Sequence, residues 1–540
     1  MSKNYLLALL SGLLLAFAWP TYGFTWLIFI ALVPLLLAEK AIREQSPKHN
    51  NLHTFVASYL TFISWNTFTT WWIWNSTEVG GVFAVVVNSL LMTLVFQLFH
   101  LIAKRKPLRF SLIFLTAFWI TFEKFHLIWD FSWPWLNLGN VFSEHPQWIQ
   151  WYEYTGTFGG SLWIWIVNIS FFVAVLAYQK NKKIKSLLKH SILGFAILVL
   201  GIYLSKYQYA TYQEQGTPFT AIVLQPNTDP YTEKYHQSSD KIATDLLQLT
   251  QSKIDQNVAF VLAPETVFST KTTLSGFQQS DAHRQIQNFL ADYPQTSFLT
   301  GVDLYKIYNT PVMPTPTANR FSNTKQAWYE SFNAALLITN NSDAQRAGNI
   351  PQVYHKSKLV VGVEHFPFRS VLQPLLGNVM IDLGGSVSTI TPQSEAETFT
   401  HPNNTLKAAP IICYESIYGE YVGYYVQKGS NFFAIITNDS WWGNTQGHKQ
   451  LLSYARLRAI EHRRAIARSA NSGISAFINQ RGEILASLPY ETKGALRGEI
   501  YANTKPTFYS QQGDYIARIA VLVAALFFLV GFFVTKRSSE

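Results

Sequence analysis

Long apolar runs, separated by loops that are either rich in Lys and Arg or empty of them, constrain this chain more than any other feature. From Tyr5 to Ser205 the sequence is mostly apolar, and a further run spans Ile516 to Val534. Runs near ~20 residues are long enough to cross a bilayer as helices. The sequence predicts eight such helices, near 5–20, 24–39, 54–75, 81–103, 109–125, 160–178, 190–205 and 516–535. Lys40, Arg43 and Lys48 mark one loop, and Lys104, Arg105, Lys106 and Arg109 another. Lys180, Lys182, Lys183, Lys185 and Lys189 mark a third, and Lys536 with Arg537 follow the final run. The intervening loops 21–23, 76–80 and 126–159 hold neither Lys nor Arg. Because basic loops stay on the cytoplasmic side, both ends are expected inside and the segment 206–515 outside.

The chain is too long for one core. Three divisions are expected: 1–205 as helices 1–7, 206–515 as an external globular domain, and 516–540 as a last helix with its tail. The net charge of +10 does not signal nucleic-acid binding, since much of it lies in the short basic loops. Lys3, the first apolar run and Ala16-Phe17-Ala18 also fit a cleavable leader; Trp19-Pro20 and the further runs favour a retained helix. The Trp-rich loop Trp129–Gly160 fits interfacial aromatic anchoring, or the mouth by which lipid enters.

Within 206–515, short apolar runs alternate with amphipathic stretches. Candidate strands are Phe219–Leu224, Val258–Ala263, Ser297–Val302, Ser331–Ile338, Ala409–Tyr414, Phe432–Thr437 and Ile474–Ile478. Continuously apolar strands are buried on both faces, so the domain is expected to be α/β with helices over the sheet. Leu451–Arg464 reads as a surface helix, although Arg456, Arg458, Arg463 and Arg464 also suit a nucleic-acid patch.

Polar residues at the carboxyl ends of such strands are where α/β sheets place chemistry. "VAFVLAPE" ends in Glu265, and "APIICYE" carries Cys413, the only cysteine. One cysteine rules out an intramolecular disulfide. Alone, a cysteine is usually a small buried hydrophobe, a strand-end Glu a solvated charge, and a loop Lys such as Lys356 solvated too. Together they form a set for nucleophilic catalysis: a thiol, a base for its proton and a cation for an oxyanion. The Tyr414 N–H is a candidate second oxyanion donor. His448 has no companion at ligand spacing, so neither a metal nor another cofactor is expected.

"APETVF", "YHKSKLVVGVEHFPF", "IICYES" and "TNDSWWGNTQGHKQ" together resemble the nitrilase superfamily. With the flanking apolar runs, the chain resembles its membrane-embedded branch, the apolipoprotein N-acyltransferases of diderm bacteria. The resemblance implies an α-β-β-α sandwich and a triad of Glu265 as general base, Lys356 for the oxyanion and Cys413 as nucleophile. It also implies Glu364 as the carboxylate orienting Lys356, with Asn333, Tyr414, Glu415 and Trp441 lining the site. Where the family reads Leu-Val-Pro-Phe-Gly-Glu after the lysine, this chain has Leu359-Val360-Val361-Gly362-Val363-Glu364. Lys358 is a rival to Lys356, disfavoured by the spacing to Glu364.

The implied reaction moves an acyl chain from a membrane phospholipid, through a thioester, to the N-terminal amine of a lipidated apolipoprotein. The implied place is the bacterial inner membrane, with the catalytic domain in the periplasm. An alternative is a membrane-tethered amidase using the same triad on a small amide. A transporter or receptor would instead need inward-facing ionisable residues in the spans, and few are evident. The stretch Pro367–Met380, with Val371, Leu372, Leu375, Leu376 and Met380 at helical spacing, suits either domain core or an apolar lid.

The alternation of basic loops with loops that lack Lys and Arg generates a direct test. A reporter fused after Ser205 is expected to behave as external and one fused within 179–189 as cytoplasmic; swapped signals would invert the topology.

Overall fold

The computed structural model describes all residues except 1, 46–48, 230, 231, 235, 322–326, 341–351, 369, 370, 372–389, 404 and 534–540. Lys48, Lys536, Arg537 and most of the suggested lid, Leu372, Leu375, Leu376 and Met380 included, therefore lie outside the described residues. The chain divides into two compact units, one formed by Met1–Thr211 with Gln512–Glu540, the other by Tyr212–Gln511.

The first unit is helical. Among the described residues, five helical segments are long and apolar enough to cross a membrane: Thr25–Gln45, Glu78–Ala103, Tyr152–Asn181, Ile184–Thr211 and Tyr515–Phe533. The other predicted spans are helical too but fall short of that measure, so eight spans is more than length and composition support. Ser2–Ala18 is only 17 residues long, Asn50–Thr70 is diluted by Asn, Ser and Thr, and Leu108–Phe125 carries Arg109, Glu123 and Lys124.

Small and polar residues set the helix contacts, as expected where apolar side chains alone cannot select a partner. A Cβ on Gly12 would sit 2.4 Å from the Thr61 carbonyl oxygen, and the Thr61 hydroxyl donates to Ala8 O at 2.7 Å. Asn168 holds the break within Thr25–Gln45, accepting from Leu32 N at 2.9 Å and donating to Ile28 O at 2.8 Å.

Two expectations for this unit are corrected. Ionisable residues do face inward: Glu39 and His100 are buried with Nδ1 and Oε1 2.7 Å apart. Glu123 accepts from Trp119 Nε1, Leu138 N and Ser161 Oγ at 3.1, 2.8 and 2.6 Å. Both carboxylates find partners within the unit, as a buried charge must. The Trp-rich loop is also less interfacial than expected, because Trp135 and Trp148 are buried.

In the second unit an eight-stranded sheet and a six-stranded sheet lie together. The first runs Gly494–Ala502, Thr217–Gln225, Val258–Leu262, Ser297–Tyr308, Trp328–Ile338 and Asn319–Arg320, with Phe268–Thr272 and Gln352–His355 pairing at its side. The second runs Ile484–Ser487, Ala476–Ile478, Ile466–Ala470, Phe432–Thr437, Lys407–Ile412 and Phe399–Thr400.

Side chains of the first sheet alternate between two buried faces, following the strand period of two. Ile222, Leu224, Val261 and Phe298 pack on Ile242, Leu246, Ile286 and Leu290 of the helices Ser239–Gln251 and Asp281–Asp292. The opposite face sends Phe219 and Phe260 against Phe432 of the second sheet, with ring centroids 4.7 and 5.0 Å away. Helix Gln446–His462 is nearly all buried, which corrects its reading as a surface helix. Arg458 pairs with Glu461 at 2.8 Å and donates to Ile417 O.

Parallel pairing sets up the site. Phe432–Thr437 runs parallel to Lys407–Ile412 with Ile436 opposite Ile412, so both strands deliver their carboxyl ends to the same edge. Val258–Leu262 likewise ends just before Glu265.

The aromatic contact between sheets predicts a stability effect. Phe260 is fully buried, and Phe260→Ala is expected to destabilise the second unit by about 3–5 kcal/mol, read by denaturant or thermal unfolding. A change within ~0.5 kcal/mol, the surface-substitution range, would contradict this packing.

Candidate active site

Cys413 does not continue its strand, which stops at Ile412 rather than at Tyr414 as expected. It opens a short 3-10 turn, Cys413–Ile417, with φ of +51°. A non-glycine residue rarely holds the left-handed region, and such strain gathers at functional sites. The turn is tied back by the Ser416 hydroxyl, which donates to Cys413 O at 2.7 Å. Only 7% of Cys413 is exposed.

Lys356 lies just beyond the strand Gln352–His355 and donates its backbone N–H to Asn333 O at 2.8 Å. Its ammonium is 1% exposed and lies 2.9 Å from both Glu265 Oε1 and Glu364 Oε1. The Asn333 amide closes the group, donating to the same two oxygens at 2.7 and 3.1 Å. From the second sheet, Asn438 N donates to Glu265 Oε2 at 2.9 Å. Glu265 is thus held by both sheets.

The Lys358 ammonium instead lies 5.6 and 5.3 Å from the ring centroids of Tyr418 and Tyr421. The altered stretch before Glu364 keeps the carboxylate in place by other means. Gly362 takes φ of +79°, Glu364 N donates to Val360 O at 2.9 Å, and Val360 N donates to Glu364 Oε2 at 2.9 Å.

Glu415 anchors the site rather than lining it. Fully buried, it accepts from Tyr354 OH at 2.5 Å and from Ser357 N at 2.6 Å on one oxygen, and from Ile412 N at 2.8 Å on the other. One carboxylate therefore joins the residue before Cys413 to the residue after Lys356. Burial pushes its carboxyl up to about 7. Tyr414 is buried with its ring edge-on to Tyr418 at 5.3 Å. Trp441, in the turn Asp439–Trp442, is partly exposed.

Sequence reasoning missed Lys234. This lysine is 6% exposed, donates to Thr266 Oγ1 at 2.5 Å and lies 5.7 Å from the Trp441 ring centroid. A single lysine in "DPYTEKYHQ" carries no spacing or pattern that would have marked it. The buried Arg468–Asp439 pair, 2.5 Å apart at the end of strand Phe432–Thr437, was missed as well. Among the described residues no group of three or more His, Cys, Asp or Glu could hold a metal ion.

The electrostatics separate the partners. Burial, and then the charge of Glu265, push the Cys413 thiol well above its usual range, against the pull of Lys356. Burial works against the Lys356 ammonium, but Glu265 and Glu364 outweigh it and hold the lysine well above its ordinary value. Burial likewise opposes ionisation of Glu265, yet Lys356, Asn333 and Lys234 together hold its carboxyl below the usual range. At neutral pH this describes a protonated thiol beside an ionised carboxylate.

Residues 11–170 match the model of the apolipoprotein N-acyltransferase N-terminal domain. Residues 316–507 match the carbon-nitrogen hydrolase model. The chain is 28% identical to an apolipoprotein N-acyltransferase of Chlorobaculum tepidum, over 98% of this chain and 97% of that protein. It is 26% identical to apolipoprotein N-acyltransferase 1 of Treponema denticola, over 99% and 98% of the two chains. The chain thus matches an apolipoprotein N-acyltransferase N-terminal domain and a carbon-nitrogen hydrolase domain, and resembles proteins named apolipoprotein N-acyltransferase over nearly its whole length. A relative of that name from Haemophilus influenzae is 24% identical, over 95% of this chain and 91% of that one. Among solved structures, the chain is similar to an amidase of the nitrilase superfamily from Nesterenkonia AN1, at 14% identity and a TM-score of 0.35, over 56% and 97% of the two chains.

The contacts separate the two lysines. Lys356→Arg is expected to abolish activity, because a planar guanidinium cannot replace a compact ammonium between two carboxylates. Lys358→Arg is expected to retain it. Measured turnover in the opposite order would reassign the cation.

Proposed function

We propose that this chain N-acylates lipoproteins at the outer face of a bacterial inner membrane, by two acyl transfers through Cys413. The observation that carries the reading is the buried cluster in which Glu265 shares Lys356 with Glu364 at the strand end facing the Cys413 turn.

In the first transfer, the Cys413 sulfur attacks the carbonyl carbon of a phospholipid acyl ester while its proton passes to Glu265. The oxyanion forms toward the Lys356 ammonium and the Tyr414 backbone N–H. The ester C–O bond then breaks, Glu265 returns the proton to the departing glycerol oxygen, and lysophospholipid leaves a thioester on Cys413. In the second transfer, the α-amine of the lipidated N-terminal cysteine attacks that thioester. Glu265 takes the amine proton and passes it to sulfur as the C–S bond breaks, giving the amide.

Several features support this reading over hydrolysis of a small amide. The thiol is buried, and a thioester survives only where water is kept from it. Both proposed substrates carry acyl chains, and the chain supplies an apolar helical unit as well as the α/β unit. The loops 21–23, 76–80 and 126–159, which hold neither Lys nor Arg, and the segment 206–515 fall on the same side by the positive-inside rule. We assign the eight predicted runs as spans on that basis, with Ser2–Ala18, Asn50–Thr70 and Leu108–Phe125 added to the five apolar segments.

Purified protein in bilayers of acyl-labelled phospholipid is expected to acquire a hydroxylamine-sensitive label on Cys413, and to pass it to a lipidated peptide with a free N-terminus. Cys413→Ser is expected to lose at least about 10³-fold in turnover at an unchanged Tm. Acylation of the peptide by the Ser variant would overturn the covalent route.

A further inference from the structure

Lys234 is buried, charged and used by no step described above. It comes from the segment 228–237, yet its ammonium reaches Thr266, the residue next to the proposed base. Thr266 holds φ of +44°, a conformation a β-branched side chain rarely adopts. The turn that presents Glu265 is therefore strained, and the Lys234–Thr266 hydrogen bond is one contact that secures it. The Ser269 hydroxyl donates to Lys234 O, fixing the lysine backbone to the strand that follows the same turn. The Trp441 ring covers the ammonium from the second sheet's side of the unit.

We propose that Lys234 is a second cation of the active site, a positioning residue that acts on Glu265 through the Thr266 hydroxyl and through its charge. The inference rests on the reading of Glu265 as the base. Its physical reason is a charge balance. Burial works against the Lys234 ammonium, and the carboxylates of Asp303, Glu265 and Glu364 oppose that, with Lys356 the competing cation. Glu265 and Glu364, joined by Asp303 when it ionises, set against one ammonium would draw in a proton, and a protonated Glu265 cannot accept another. The second ammonium keeps the base open.

The other groups around Glu265 do not replace it. Lys356 is shared with Glu364, Arg468 is paired with Asp439, and Asp303, raised by burial to about 7, adds negative charge when it ionises. Lys271 acts on Asp303. Cys413 is held in its neutral form.

The sign of the effect follows. Lys234 lowers the Glu265 carboxyl, so losing its charge raises that carboxyl, and the acid limb of any Glu265-dependent rate moves to higher pH. Lys234→Gln in the full chain keeps a hydrogen-bond donor and removes the charge; Thr266→Val removes the hydrogen bond and keeps the charge. Two rates are read against pH: labelling of Cys413 from acyl-labelled phospholipid in bilayers, and alkylation of Cys413 by iodoacetamide, which needs no lipid.

For Lys234→Gln both acid limbs are expected to move up by about one pH unit, a tenfold lower rate on the limb, with recovery at higher pH. Thr266→Val is expected to lower the rate without moving the limb. Normalised profiles of Lys234→Gln that superimpose on wild type would overturn the proposal and leave a structural lysine. If the alkylation limb moves while wild type never acquires acyl label, Lys234 keeps this role and the acyltransferase reading fails instead.

Discussion

A lysine ammonium between two carboxylates, removed from water, is the interaction on which the α/β unit depends. Such a group is costly to bury, and it is tolerated only when every charge and lone pair finds a partner. Here the partners come from separate parts of the chain: Glu265 after one strand, Asn333 within another, Lys356 and Glu364 from the next connection, and the Asn438 N–H from the other sheet. Satisfying the cluster requires the two sheets to be in register at one edge. The Phe219–Phe260–Phe432 contact and the parallel pairing of Phe432–Thr437 with Lys407–Ile412 put them there. Sheet packing and site geometry are one constraint seen from two sides.

Part of this was legible in the sequence. Apolar strands ending in a polar residue pointed to Glu265 and Cys413, since strand ends are where a buried chain first meets a crevice. Lys356 and Glu364 became legible only through their resemblance to a family. What the residues could not show was orientation. Glu415 looked like a lining group, yet its carboxylate turns inward to backbone amides. The helix Gln446–His462 looked exposed because of its arginines, but its charges are absorbed by their neighbours: Arg458 donates to Ile417 O, and His462 Nε2 lies 3.0 Å from Gly419 O. The strand Ile466–Ala470 escaped notice because Arg468 and Ser469 interrupt its apolar run, though all five positions are buried. In each case a buried polar side chain imitates an exposed one, and only its partners, distant in sequence, reveal the difference.

In the helical unit the balance differs. Hydropathy located the helices but said little about how they meet. Contacts there fall to Gly12 under Thr61, to Asn168 at the break in Thr25–Gln45, and to Glu123 holding Leu138. These are single polar or small residues in apolar surroundings.

The bridge made by Glu415 has a consequence for how this site can diverge. It fastens Ile412, beside Cys413, to Ser357 and Lys358, which follow Lys356. Everything beyond Lys358 hangs from a fixed pair. The glycine in Val361-Gly362-Val363 sits one place earlier than the family pattern has it, and the Glu364 carboxylate still arrives at Lys356. A chain built this way can rewrite the approach to its substrates, one turn at a time, while the two reacting groups keep their separation. Variation in what is bound is thereby uncoupled from the geometry of the chemistry.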